Sequence, residues 1–256
     1  MLKMRATRAW RLWAPAVTVA VTATAAGVVS AAPASAQTIV NCPAQNLQTA
    51  IDNAAPGSTI MVAGTCAGNV TVEKNLSLIG FGGAVLDGNA AGTTLTVGAG
   101  ADVQVSALTI ANGSAENGAG LLNNGSVTLN YSIVRDSNAN FYGGAVLNAG
   151  MMTLNGSTVH SSTADVGGGI ANFSGATLTL NASTVRDNTA LSGGGVANLG
   201  GTVTMNYSAV TTNTSVGGAD AGGGIHNSSG SVSLMATSVT DNSPNACTGS
   251  VEGCTG

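Results

Sequence analysis

The side chains best suited to chemistry recur at one position of a repeated segment. Arg135, His160 and Arg186 each end a short run of β-forming residues, and an aspartate comes next at Asp136 and Asp187. If the segments stack as coils, the three bases form an outward row with a spacing of about 4.8 Å. Such a row suits an acidic sugar or another carboxylate. The alternative is a solvated face on which each arginine is neutralised by its aspartate, an interaction worth ~0–1 kcal/mol.

Groups for catalysis are scarce. Beyond residue 36 the strong bases are Lys74, Arg135 and Arg186, and the acids fall mostly one to a segment. Enzymes that cleave polysaccharides use clustered or facing acids. We therefore assign no catalytic residue and expect no cofactor. We also expect no metal site, because the chain has no C-x-x-C pair and its histidines are far from any cysteine.

A second surface feature is a row of threonines, each followed two residues later by an asparagine. The pairs are Thr128 and Asn130, Thr153 and Asn155, Thr179 and Asn181, and Thr204 and Asn206. A flat array of hydroxyls and amides suits ice or a glycan. The alternative is local, because threonine favours strands and asparagine favours the turns that follow them.

The first 36 residues predict export. A basic start precedes an apolar stretch, and Ala34-Ser35-Ala36 is typical of a cleavage site. We expect a signal peptide over residues 1–36 and a secreted, extracellular chain that begins at Gln37 and does not insert into a membrane. That chain has three Lys and Arg against eleven Asp and Glu, a net charge of −8. Nucleic acid and anionic membranes are therefore poor partners.

Four cysteines in an exported chain predict two disulfides. Three connectivities are open. Local pairing, Cys42–Cys66 and Cys247–Cys254, is favoured because each pair lies at one end of the repeated region.

Five segments spaced by 24 to 29 residues align with one another. Each has a glycine cluster, a hydrophobic triplet that ends in asparagine, and two further short strands. The asparagines are Asn123, Asn148, Asn172, Asn198 and Asn227. Three strands per segment predict one coil per segment and three parallel sheets. With less regular coils before residue 118, we expect an all-β fold, a right-handed single-stranded parallel β-helix of about seven to eight coils.

Alternation assigns the faces of these strands. Val127, Leu129 and their equivalents point inward, and Thr128 points outward. The five asparagines have inward parity and should form a buried ladder, because an unpaired buried amide costs ~1–3 kcal/mol. A hydroxyl column should also face inward, at Ser132, Ser157, Ser183, Ser208 and Thr237. The glycines mark positions where φ is positive or where the chain passes close to the next coil.

An open β-helix must be covered at both ends to prevent polymerisation. A short amphipathic helix is predicted over residues 46–54 and should cover the first coil. Pro244 ends the last strand, and the loop between Cys247 and Cys254 closes the other end, so we expect a monomer. The predicted domains are a signal peptide (1–36), an N-terminal cap with the helix (37–58), a parallel β-helix (59–243) and a disulfide-closed tail (244–256).

Several stretches carry a family resemblance. The opening, with residues 56–60 and 76–80, resembles pectin-lyase-like β-helix proteins. Residues 183–198 resemble repeats of bacterial secreted right-handed β-helix proteins, and Gly143-Gly144-Ala145-Val146 is similar to repeats of polymorphic outer membrane proteins. The tail, residues 245–256, resembles the ends of actinobacterial members. The resemblance covers residues 40–256 and implies the fold, but this fold hosts lyases, hydrolases and adhesins alike.

Together these features favour a secreted, non-enzymatic β-helix repeat protein. We expect it to bind or adhere at the cell envelope or to carbohydrate, with cell-wall or extracellular polysaccharide as its partner. One alternative is a polysaccharide lyase or glycoside hydrolase of the pectin-lyase-like fold. The other is an ice-binding surface.

Overall fold

The chain winds into a parallel β-solenoid of about 8 turns. The computed structural model describes residues 37–254. The predicted signal peptide and the last two residues of the tail lie outside this range. Neighbouring strands pair in parallel from the first coil to the last.

The bounds of the elements follow in chain order. They are β1 (Gln37–Asn41), α1 (Leu47–Asn53), β2 (Ser58–Ala67), β3 (Val70–Val72), β4 (Leu76–Asp87), β5 (Leu95–Val97), β6 (Asp102–Ser106), β7 (Thr109–Ala111), β8 (Ser114–Asn117), β9 (Leu121–Asn123), β10 (Ser126–Asn130), β11 (Ile133–Arg135), β12 (Asn138–Tyr142), β13 (Val146–Asn148), β14 (Met151–Asn155), β15 (Thr158–His160), β16 (Thr163–Val166), β17 (Ile170–Phe173), β18 (Thr177–Asn181), β19 (Thr184–Arg186), β20 (Thr189–Ser192), β21 (Val196–Asn206), β22 (Ala209–Thr211), β23 (Thr214–Ser215), a 3₁₀ turn (Ala219–Ala221), β24 (Ile225–Met235), β25 (Ser238–Thr240) and β26 (Cys247–Thr248).

Three ladders of stacked strands run along the solenoid. The first ladder contains β3, β5, β9, β13, β17 and β26, with the starts of β21 and β24. The second contains β1, β6, β10, β14 and β18, with the starts of β2 and β4 and the ends of β21 and β24. The third contains β7, β11, β15, β19, β22 and β25, with the ends of β2 and β4. These are the three parallel sheets that the repeat predicts.

A fourth strand lies in the regular coils, in addition to the three expected. Strands β8, β12, β16, β20 and β23 form a separate five-stranded sheet, here called the short sheet. Its side chains are mostly exposed or half-buried, so its residues lack the clear alternation that marks a strand in the sequence. The extended conformation comes from backbone pairing between coils, as in the 3.0 Å bond from the amide of Thr163 to the carbonyl of Ser137.

The hydrophobic core fills the inside of the coils, as the alternation predicts. Leu129 pairs in register with Leu154 of the next coil, and Leu180 follows in the coil after that. All three are fully buried, whereas Thr128 is half-buried on the outer face. Each such leucine contributes roughly 1.5–3 kcal/mol through burial, so the core stabilises every coil against its neighbours.

The predicted asparagine ladder is confirmed. The Nδ2 of Asn123 donates to Oδ1 of Asn148 at 2.7 Å, and the pattern repeats to Asn172 at 2.8 Å and to Asn198 and Asn227, both at 2.9 Å. Four of the five side chains are fully buried. The amides also donate to backbone carbonyls of the next coil, such as that of Met151 at 2.9 Å. The ladder therefore satisfies buried polar groups that would otherwise destabilise the fold.

The four serines of the predicted hydroxyl column are also buried, and Thr237 is half-buried. Within the described residues these hydroxyls do not bond to one another. The backbone amide of Ser132 donates to Oγ of Ser157 at 3.1 Å. That hydroxyl in turn donates to the carbonyl of Leu129 at 3.1 Å. Each serine thus links two coils through the backbone.

A further buried ladder follows the third strand and was not predicted. Nδ2 of Asn188 donates to Oδ1 of Asn213 at 3.0 Å, and Nδ2 of Asn213 donates to Oδ1 of Asn242 at 3.0 Å. In the two preceding coils Ser137 and Ser162 occupy this column. The column could not be recognised as an asparagine ladder in the sequence, because only some of its coils have asparagine there.

The glycine clusters serve both purposes that the sequence predicts. Gly143, Gly167 and Gly193 have φ angles of 66–68°. The glycine after each of them passes close to the next coil. A Cβ on Gly168, for example, would lie 2.3 Å from the carbonyl oxygen of Thr189, a distance that no side chain can occupy.

The first coil combines a strand, a helix and a disulfide. Helix α1 begins after Asn46, whose side chain accepts a bond from the amide of Thr49, and it buries Leu47 and Ile51. Strand β1 precedes the helix and pairs with β2, so the segment 37–58 contributes a strand as well as the helix.

Both predicted disulfides are present, Cys42–Cys66 and Cys247–Cys254. They lie in the first and last parts of the solenoid. None of the helices within residues 37–254 has the length and apolar character needed to cross a membrane.

Candidate ligand-binding site

The structure places Arg135, His160 and Arg186 side by side on consecutive coils. They are the last residues of β11, β15 and β19, and the strand register pairs each one with the next. In a parallel sheet this register sets them about 4.8 Å apart. We call these three residues the basic row. Alternation turns their side chains outward, because Val134, Val159 and Val185 of the same strands are fully buried.

Each arginine of the row forms an ion pair with the aspartate that follows it, Arg135 with Asp136 and Arg186 with Asp187. Both aspartates sit at a corner with a left-handed backbone, with φ angles of 52° and 55°. Aspartate tolerates this conformation better than most residues. The side chains are 35–43 % exposed, so the pairs stay open to solvent and contribute little to stability.

His160 lies between the two ion pairs. Burial lowers the pKa of its imidazole, Arg186 and then Arg135 lower it further, and Asp136 and Asp187 partly oppose the change. Its Nδ1 lies 2.8 Å from Oγ of Ser161. The ring is therefore more readily neutral than a free histidine, and it offers a neutral donor or acceptor between two guanidinium groups.

A hydrogen bond fixes one end of the row. Thr212 donates to Oδ1 of Asp187 at 2.6 Å. This bond and the neighbouring Arg186 hold the pKa of the Asp187 carboxyl below its ordinary value. The carboxylate therefore stays ionised, and able to pair with Arg186, to a lower pH than a free aspartate.

A polar groove continues from the other end of the row. It has a volume of about 450 Å³ and is lined mainly by carboxylates and amides. These lining residues are Asp87, Asn89, Asn112, Asp136 and Asn138. Asp136 belongs to both the groove and the ion pair with Arg135, so the groove and the basic row form one continuous surface.

Asp87 belongs to the candidate site, which the sequence did not predict. The register pairs Asp87 with Ala111 and Ala111 with Arg135, so Asp87 occupies the same column as the basic row, two coils earlier. Its Oδ1 accepts a bond from Nδ2 of Asn112 at 3.1 Å. The irregular length of the early coils hid this alignment.

The threonine and asparagine rows lie on the outer face of the second ladder. Thr128, Thr153, Thr179 and Thr204 are in register. The side chains of these four asparagines are also linked by hydrogen bonds from coil to coil. We call this solvent-facing row the outer asparagine ladder. Nδ2 donates to Oδ1 of the preceding coil at 2.9–3.0 Å, from Asn155 to Asn130, from Asn181 to Asn155 and from Asn206 to Asn181. The use of this array for ice or glycan stays a prediction.

The titratable groups do not form a metal-binding cluster in the part of the chain that the structure covers. No three His, Cys, Asp or Glu side chains there are placed to hold a metal ion. His226 is half-buried with its Nδ1 2.8 Å from Oγ1 of Thr248, and burial lowers the pKa of its imidazole.

The two histidines predict how stability responds to pH. Their pKa values are lower in the folded chain than in the unfolded chain, where an imidazole titrates near 6.5. The unfolded chain therefore binds more protons as the pH falls through about 6.5, and the free energy of unfolding decreases. Above that pH the stabilising contribution is complete.

Urea unfolding at pH 8 and pH 5 measures this effect. We expect His160→Gln and His226→Gln each to reduce the loss of stability between the two pH values. A double variant that loses as much stability on acidification as the unaltered protein would contradict the prediction.

Comparison with known proteins gives no relative for this chain: no protein family, no curated protein and no solved structure matches it.

Proposed function

We propose that this is a secreted, non-enzymatic protein that binds polysaccharide at the cell envelope or outside the cell. The observation that carries the proposal is the continuous surface formed by the basic row and the polar groove. Sugar hydroxyls both donate and accept hydrogen bonds, and this surface carries two guanidinium donors beside carboxylate and amide acceptors. One side chain of the row lies on each coil, at a spacing of about 4.8 Å, so successive sugars of an extended chain can each contact a different coil.

Two other features support the proposal. The two disulfides are compatible with an oxidising extracellular environment, and residues 1–36 have the pattern of a signal peptide. Right-handed coiling and kinship with pectin-lyase-like, actinobacterial and polymorphic outer membrane proteins belong to the same proposal. The kinship rests on the opening residues 56–60 and 76–80, on the repeats and on the tail at residues 245–256.

A binding assay with the arginines removed tests the proposal. The protein is incubated with insoluble cell-wall material and with a panel of acidic and neutral polysaccharides, and bound protein is quantified. Arg135→Ala combined with Arg186→Ala should weaken binding to the acidic members by about tenfold or more, because bonds to charged groups are worth ~1.5–3 kcal/mol.

The matched control is Thr211→Ala with Thr240→Ala. These residues occupy the next two positions of the same column and carry no charge, so binding should be unchanged. The proposal fails if no polysaccharide binds the unaltered protein.

One observation favours an enzyme as the second candidate. Asp87 and Asp136 line the same groove, two coils or about 10 Å apart along the axis, and Arg135 adjoins them. Paired carboxylates are the groups that glycoside hydrolases use, and a base beside aspartates suits a lyase.

Reducing-sugar release and the ultraviolet absorbance of unsaturated products separate these possibilities. Turnover by the unaltered protein that is lost in Asp136→Asn would establish the enzyme and overturn the non-enzymatic proposal. Asparagine is a fair replacement there because it tolerates a left-handed corner.

A further inference from the structure

Two tyrosines occupy a corner of the coil where the left-handed backbone favours a small residue. The corner between the second and third ladders is one residue with a left-handed backbone in six consecutive coils. These residues are Ala107, Tyr131, Gly156, Ala182, Tyr207 and Ala236. The φ angles of Tyr131 and Tyr207 are 49° and 51°, a conformation that is unfavourable for a bulky residue. Alanine or glycine meets the requirement in the other four coils.

The tyrosines do not contribute to the core. Tyr131 is 78 % exposed and Tyr207 is 69 % exposed. Neither phenol hydroxyl forms a hydrogen bond within the described residues. A strained and exposed aromatic residue that packs against nothing buried suggests a role outside folding.

The two rings bracket a shallow floor. They are three coils apart, which is about 14 Å along the axis, and Gly156 and Ala182 lie between them. The ring of Tyr131 leans over Gly156, since a Cβ on that glycine would lie 2.8 Å from Cε1 of the ring. The ring of Tyr131 therefore lies over the next coil, on the side towards Tyr207. Beyond it, Ala182 adds only a methyl group to the face.

The outer asparagine ladder runs beside this floor. The two middle amides, Asn155 and Asn181, each use one N–H and one lone pair of the side-chain oxygen on their neighbours, as from Asn181 to Asn155 at 2.9 Å. One N–H and one lone pair per coil remain for a ligand. The four segments that form the face, residues 130–133, 155–158, 181–184 and 206–209, contain no charged residue.

We infer that this tyrosine face, made of Tyr131, Gly156, Ala182 and Tyr207 with the outer asparagine ladder, binds an uncharged glycan along the solenoid axis. Sugar rings stack on the two phenol rings, and sugar hydroxyls bond to the amides. The absence of charge on the face matches a neutral ligand. The inference rests on the proposed function and assigns it a second surface, at the opposite end of the third-ladder strands from the basic row.

Calorimetric titration of the protein with soluble neutral and acidic polysaccharides tests the inference. Tyr131→Ala combined with Tyr207→Ala should weaken binding of the neutral ligand by about tenfold or more and leave the acidic ligand unaffected. Alanine already stands at this corner in three coils, so the variant should fold. Tyr131→Trp with Tyr207→Trp should retain binding, because a larger ring still stacks.

The matched control removes two exposed apolar side chains elsewhere, Leu191→Ala on the short sheet with Val216→Ala directly after it, and should bind as the unaltered protein does. If the tyrosine double variant binds the neutral ligand with unchanged affinity, or if only acidic ligands bind and they need Arg135 and Arg186, the inference is overturned while the proposed function stands. If no glycan of either kind binds, both fall.

Discussion

Replacing Asn172 with leucine should lower the free energy of unfolding by roughly 2–4 kcal/mol, although it adds apolar bulk to a fully buried position. Asn172 accepts from Asn148 at 2.8 Å and donates to Asn198 at 2.9 Å. Leucine provides neither bond. Oδ1 of Asn198 then has no partner in the ladder, and a buried acceptor without a partner costs ~1–3 kcal/mol. Urea unfolding followed by circular dichroism measures the loss.

Asn181→Leu is the matched control for this prediction. Asn181 belongs to the outer ladder and has the same two kinds of amide bond, to Asn155 and Asn206, but it is only half-buried. Water can replace its bonds, so we expect a change below about 1 kcal/mol. Equal unfolding midpoints for the two variants would show that burial of the inner ladder has no energetic consequence.

Replacing Gly168 with alanine should destabilise the protein by about 3 kcal/mol or more. The new Cβ would lie 2.3 Å from the carbonyl oxygen of Thr189 and 2.7 Å from that of Gly194. Both atoms belong to the backbone of the next coil, so no side-chain movement can relieve the clash. The two coils must move apart, which weakens the strand pairing on both sides.

Gly175→Ala separates this clash from the general effect of adding a methyl group. Gly175 has a φ of 78° and nothing within 4 Å of a Cβ, so alanine there meets only the strain of a left-handed backbone, about 1–2 kcal/mol. We expect a larger decrease in the melting temperature for Gly168→Ala than for Gly175→Ala. The reverse order would mean that the spacing between coils is more compliant than the structure indicates.

The regular coils could be read from the sequence because period-2 alternation survives within each strand. Parity alone places Asn123 inward with Leu121, and the same asparagine recurs in every later coil, so the ladder follows from the repeat. The ladder that contains Asn188 could not be found this way. It comes after the left-handed corner at Asp187, and the alternation of inward and outward side chains is interrupted at a residue that turns the chain from one strand into the next.

The candidate site also has one part that the repeat predicts and another that only the structure shows. The register of Arg135 with His160 follows from the repeat length, and the strand pairing gives that register. The residues that bond to the row or lie beside it do not follow from the repeat length. The bond from Thr212 to Asp187 and the entry of Asp87 into the polar groove depend on how the corners turn and on how an irregular early coil stacks on a regular one.

The sequence by itself determined the parallel coils, the inward and outward faces and the buried asparagine ladder, because each depends on short-range alternation or on a period repeated along the chain. It favoured local pairing of the cysteines but left three connectivities open, and the structure shows the local one. Only the tertiary structure decided the fourth strand, the second buried ladder, the polar groove and the strained exposure of Tyr131 and Tyr207. Those features depend on corner conformations and on contacts between coils about 25 residues apart, and neither leaves a periodic signal in residue type.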